Sequence, residues 1–113
     1  MAAKYEITHK KGGKFHFHLK AGNGEIILSS QMYTTKEHAE KGIASCKSHS
    51  AKDSNYVRKQ SKKGQPFFEL TSTNHEIIGM SEMYSSVEAR EKGVRSVQRN
   101  GPDARVVDLT EKE

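Results

Sequence analysis

The chain has 113 residues, about a third of them hydrophobic, with no tryptophan, one cysteine and a formal net charge of +5. That allows one compact unit or two very small ones, and too little apolar material for a deep, enzyme-sized interior. The single Cys46 excludes an internal disulfide, and no window offers the roughly 20 apolar residues that a bilayer span needs, so a cytoplasmic setting is expected.

The positive charge is uneven. Residues 1–56 hold nine Lys/Arg against five Asp/Glu, and residues 57–113 hold ten against nine. Such an excess favours contact with phosphates or acidic surfaces, yet it falls short of the dense basic face of a dedicated nucleic-acid binder. The opening "MAAKYEITHKK" has no apolar run of the kind a signal peptide carries.

In chain order, "KYEITHKK" is a short β-prone run leading into the Lys-Gly turn "KKGGK". "FHFHLK" then alternates strictly, with Phe15, Phe17 and Leu19 on one face and His16, His18 and Lys20 on the other, as in a half-buried strand. "AGNGEII" bends the chain into a second β run, "EIILSSQMY", so the pair reads as a hairpin. A tight turn at Asn23-Gly24 pairs Leu19 with Leu28 and Ala21 with Ile26, which puts Ile26 in the core and Ile27 on the opposite face. "TTKE" at Thr34 to Glu37 matches a capping box, and the helix after it buries Ala39, Ile43 and Cys46.

The same grammar then returns 51 residues on, without a gap. Tyr5 falls on Tyr56, Phe17 on Phe68, Asn23 on Asn74, Glu25-Ile26-Ile27 on Glu76-Ile77-Ile78, Met32-Tyr33 on Met83-Tyr84 and Glu40-Lys41-Gly42 on Glu91-Lys92-Gly93. "NYVRKQSKK" opens the second copy and leads into the turn "KKGQP"; Phe68, Leu70 and Ile77 are expected inward. "SSVE" at Ser85 to Glu88 is its capping box, and Val87, Val94 and Val97 mark its helical stripe. A mid-helix glycine costs about 1 kcal/mol relative to alanine. Its recurrence at Gly42 and Gly93 predicts a close approach between helix and sheet. "ARVVDLT" is a terminal strand whose counterpart, "SNYVRK", also opens copy two, and "EKE" reads as a frayed tail. Each copy is thus three strands, a helix and a closing strand, and two copies sharing a sheet bury more than either alone.

Phe-x-Leu, then "NGEII" with a following Ser and Tyr, then a capped helix with "KGI" or "KGV", resembles the YegP-like family of small bacterial proteins, over about residues 5–110. The resemblance implies an α+β fold: two tandem β-β-β-α-β repeats, 5–56 and 57–110, in a single compact domain over 1–113. They share one antiparallel sheet with exchanged C-terminal strands, and the helices pack on the sheet. It implies no activity, catalytic residue or cofactor. His75 stands where the first copy has Gly24, so the glycine is not a fixed requirement of the motif.

No stretch carries recognisable chemistry. "AGNGEII" runs into a strand, lacks the Lys-Ser/Thr of a phosphate loop, and loses both glycines in "STNHEII", so a turn is the expected reading. His9, His16, His18, His38 and His49 crowd the first half, but the counterparts of His16 and His18 are Phe67 and Glu69 and no pair has standard metal-ligand spacing. Cys46 lies on the apolar stripe with Val97 as its counterpart, as a buried thiol rather than a nucleophile. Ser29, Ser30 and Ser81 sit in no nucleophile-elbow motif.

A non-catalytic structural or protein-interaction module is therefore the first expectation, without cofactor or metal, as a monomer with internal pseudo-two-fold symmetry. The alternative is weak nucleic-acid binding through the basic turns: Lys10, Lys11 and Lys14 around one, Arg58, Lys59, Lys62 and Lys63 around the other, with Tyr5, Tyr33, Tyr56 and Tyr84 as stacking surfaces. A small enzyme or metal-binding protein ranks last.

Overall fold

In the computed structural model, residues 2–110 are described, apart from the side chain of Lys11; the tail expected at 111–113 lies outside them. Strands β1 (Lys4–Lys10), β2 (Lys14–Lys20) and β3 (Ile26–Ser30) precede helix α1 (Lys36–His49). Strands β4 (Tyr56–Gln60), β5 (Pro66–Thr71) and β6 (Ile77–Met80) precede α2 (Val87–Asn100), and β7 (Arg105–Asp108) closes the chain.

All seven strands form one sheet in the order β4-β5-β6-β3-β2-β1-β7. The expected sharing is present: β4 follows α1 yet pairs with β5, and β7 follows α2 yet pairs with β1 of the first repeat. The sheet is mixed rather than wholly antiparallel, because β7 lies parallel to β1. It enters after α2 has crossed back over the sheet, so it runs in the direction β1 takes. The two repeats meet where β3 and β6 pair antiparallel, with Ser29 opposite its own counterpart Met80. A pseudo-two-fold axis therefore passes through that pair.

Strand alternation sends Tyr5, Ile7, Phe17, Leu19, Leu28, Phe68 and Leu70 to one face. There they join Ala39, Ile43, Cys46, Val94 and Val97 of both helices in a single buried cluster. Burial of this apolar area, at about 25 cal/mol per Å², drives the packing.

The hairpin turns differ from the tight two-residue form. Ala21 N–H donates to the Glu25 carbonyl (2.9 Å), and Lys20 pairs with Ile26, so the turn holds three residues and the register slips by one. A bulge then restores Leu19 opposite Leu28, with Ile27 as the extra residue. Ile27 and Leu28 both enter the core while Ile26 stays 41% exposed, the reverse of the expected inward Ile26. The second hairpin repeats the bulge, so Ile78 is buried and Ile77, expected inward, is 47% exposed. What the two "NxEII" stretches share is the Asn: Asn23 and Asn74 accept from Glu25 and Glu76 N–H, at 3.0 and 3.3 Å. Gly24 takes φ +88, and His75 holds the same left-handed conformation at φ +70, where a side chain is strained.

Both caps lie one residue later than the capping-box reading. Thr35 and Ser86 are the N-caps, accepting from His38 and Ala89 N–H at 3.0 Å. That puts Glu37 and Glu88 in the second helical position, where they favour the positive end of the helix dipole instead of closing a reciprocal box.

Candidate functional site on the uncovered sheet face

Both helices cover one face of the sheet, so alternate strand residues point to a face that no described element covers. On β1 and β2 these are Lys4, Glu6, Thr8, Lys10, Lys14, His16, His18 and Lys20. On β3 and β6 they include Ile26, Ser29, Ile77 and Met80, and on β4 and β5 Val57, Lys59, Phe67 and Glu69. At the centre, over the β3–β6 seam, lies a groove of about 560 Å³ lined by Ile26, Ile77 and Met80, with Glu69 and Glu82 among its polar residues. Ile26, Ile77 and Met80 are each more than 40% exposed. Three large apolar side chains gathered at the centre of this face, with Val57 and Phe67 toward the β4–β5 edge, mark a contact surface rather than scattered exposure.

On β1, two strands from β3, the Glu6 carboxylate is nearly buried among a histidine and two lysines. His18 Nε2 lies 2.8 Å away, Lys20 Nζ 3.2 Å and Lys4 Nζ 3.4 Å. Burial opposes ionisation, but the hydrogen bonds from His18, Lys20 and Lys4 outweigh it and hold the carboxyl down to about 2. A depressed carboxylate stabilises the fold above its unfolded value of 4.5, and that contribution is lost as pH falls through about 2. Glu6→Gln should therefore cost on the order of 2 kcal/mol at pH 7, and the deficit should narrow steadily between pH 4.5 and 2 in urea titrations. A deficit independent of pH would assign the loss to packing alone.

The basic residues singled out in the sequence are dispersed. Lys10 and Lys14 are exposed register partners at the β1–β2 turn, and the side chain of Lys11 lies outside the described residues. Lys62 and Lys63 are exposed in the β4–β5 turn, and because β4 runs opposite to β1 that turn lies at the other end of the sheet. Arg58 is turned to the helix side, where Glu91 accepts from its Nε and Nη2 at 3.1 and 3.0 Å and Asp53 accepts at 3.0 Å. Lys59 lies 3.3 Å from Glu69. Among the described residues the set thus falls into two separate exposed pairs, Lys10 with Lys14 and Lys62 with Lys63, at opposite ends of the sheet.

The tyrosines belong to the core side. Tyr5 and Tyr56 are buried, their hydroxyls donating to the Gly101 and Ser50 carbonyls at 2.7 and 2.6 Å. Tyr33 and Tyr84 stack on Phe17 and Phe68. Cys46 is fully buried and 3.2 Å from the Tyr5 hydroxyl, and burial pushes its thiol up to about 11. A thiol held protonated and away from solvent is a poor nucleophile. Ser30 and Ser81 accept from Phe17 and Phe68 N–H at 3.0 Å, closing the strands where pairing breaks. His16 lies 3.3 Å from the Thr8 hydroxyl, and among the described residues no three His, Cys, Asp or Glu side chains gather in a metal-holding arrangement. Among them, too, no helix is long and apolar enough to cross a membrane.

The groove residues were invisible to periodicity. "EII" is identical in both repeats, and which isoleucine faces outward is decided by the turn length and the bulge, neither of which the side-chain pattern states.

Comparison with known proteins bears on this geometry. The model of a domain of unknown function, DUF1508, matches residues 10–56 and again 61–108. The UPF0339 protein YegP of Yersinia pestis is 51% identical over 106 residues, covering 94% of this chain and 95% of that protein. A UPF0339 protein of Acinetobacter baylyi is 48% identical over 110 residues, covering 97% and 99%. Two solution NMR structures share the fold along the whole chain. A UPF0339 protein of Shewanella oneidensis matches with TM-score 0.93 and 42% identity, and the Escherichia coli protein of unknown function yegP with 0.92 and 44%; 96% and 97% of those chains are covered.

Proposed function

The chain belongs to the DUF1508 family, with two copies of that domain side by side, and from this premise we propose that it is a non-catalytic protein-interaction module that presents its uncovered sheet face to a partner protein. The observation that carries the reading is the groove of Ile26, Ile77 and Met80 at the centre of that face. A single sheet face can remain solvated when it is polar throughout. Here its middle is apolar, and covering it would remove that area from water at about 25 cal/mol per Å². Ser30 and Ser81 are engaged with strand amides, Cys46 lies in the core and Arg58 is held by Glu91, so these groups serve the fold. The buried thiol also suits a cytoplasmic, reducing setting.

A photo-crosslinking side chain at position 80, in place of Met80, should yield covalent protein adducts in the host cell. The same group at exposed Glu40, on the outer side of α1, should not. Equal labelling from both positions, or none above the Glu40 control, would overturn the reading.

A further inference from the structure

The uncovered face is divided in charge. Over β1 and β2 it carries Lys4, Lys10, Lys14 and Lys20 against the single carboxylate of Glu6, four cations to one anion, and Arg105 of β7 lies beside Lys4. Over β4 and β5 the charges cancel, Lys59 against Glu69, and exposed Val57 and half-buried Phe67 lie beside them. The apolar groove sits between the two halves. A surface that is apolar at its centre and cationic on one side only is polarised, and complementary charge would fix the direction in which a partner lies on it.

We infer that the partner segment is an acidic peptide with an apolar anchor at one end: the anchor fills the groove at Ile26, Ile77 and Met80, and the carboxylates lie over β1 and β2. This rests on the interaction reading above. From β6 to β1 there are three strand spacings, about 14 Å, which an extended chain covers in about four or five residues. A phosphate polymer fits less well, since Glu69 and Glu82 flank the groove and the four tyrosines that would stack bases serve the helix side. A second copy fits less well also, because each chain carries a net charge of +5 and would present its cationic half with little acid to meet it.

The test is fluorescence anisotropy at low and physiological salt with a labelled peptide, Leu-Phe-Leu-Gly followed by four glutamates. Three controls accompany it: the anchor replaced by glycines, the glutamates replaced by lysines, and a twelve-nucleotide single-stranded oligothymidylate. Circular dichroism verifies that each variant is folded. Replacing the anchor, or Met80→Lys in the protein, should weaken binding of the acidic peptide by about tenfold or more. Lys10→Glu with Lys14→Glu should weaken it by a similar factor and remove most of its salt dependence. If the lysine peptide binds as tightly as the acidic one, the charge assignment is overturned while the interaction reading stands. If only the oligonucleotide binds, both fall. Absence of any peptide binding up to about 1 mM overturns the inference and leaves the interaction reading to the crosslinking result.

Discussion

Gly79→Leu is expected to be the most damaging single substitution in the sheet, lowering stability by about 3 kcal/mol or more. Gly79 is the counterpart of Leu28 at the seam between repeats, and a Cβ there would lie 2.9 Å from Leu28 Cγ and 3.0 Å from the Ser29 carbonyl oxygen. Both repeats bring the same strand position to the pseudo-two-fold axis, and the axis has room for one leucine. The duplicated chain meets this by giving Leu28 to one copy and glycine to the other. The helix layer does the same: Gly101 faces Ser50, its counterpart, whose Oγ would lie 2.3 Å from an added Cβ. A direct consequence is that exchanging the pair, Leu28→Gly with Gly79→Leu, should recover most of the stability lost in Gly79→Leu alone. Chemical denaturation of the wild type, both single variants and the double variant gives the coupling energy. A double variant no more stable than Gly79→Leu would show that the clash with Leu28 is not the cause.

These axis positions show what kind of information a lone sequence carries. The repeat, the order of strands and helices, the inward Phe17, Leu19, Phe68 and Leu70 and the burial of Cys46 all follow from local periodicity and self-comparison, and the structure has them. The difference between Leu28 and Gly79 has no counterpart in local periodicity, because its reason exists only once the two repeats are placed against each other. The exposed Ile26 and Ile77 were hidden for a different cause. A three-residue turn shifts the register by one and a bulge shifts it back, so Leu19 still pairs with Leu28, and Leu70 with Gly79, while Ile26 and Ile77 change face. Two of the three groove residues are these displaced isoleucines, joined by Met80, which is why the fold was legible and the surface of the site was not. Arg58 teaches the same lesson in reverse. It reads as a free basic residue, but its counterpart Ile7 is covered by β7, whereas β4 stands at the sheet edge; there Arg58 is anchored by Glu91 and Asp53.

Gly93→Ala should destabilise the protein by about 1–2 kcal/mol, although the same change in a free helix would stabilise it by about 1 kcal/mol. An added Cβ would sit 2.2 Å from the Tyr84 hydroxyl oxygen and 2.7 Å from its Cζ. Gly42 stands in the same relation to Tyr33, at 2.4 and 2.9 Å, with Phe17 Cε2 also at 2.9 Å. The close approach expected from the repeated glycines is therefore made by a tyrosine ring laid across the helix rather than by the sheet backbone. Neither ring can swing away freely, because Tyr84 is stacked on buried Phe68 and Tyr33 on buried Phe17. For a domain of this size, each kcal/mol lost lowers the melting temperature by roughly 4–6 °C. Removing the hydroxyl relieves the nearest contact, so Gly93→Ala with Tyr84→Phe should be more stable than Gly93→Ala alone, while Tyr84→Phe by itself changes little. The four melting curves decide the matter: a Gly93→Ala protein that melts above the wild type would mean that the ring yields at no cost and that helix propensity alone governs the position.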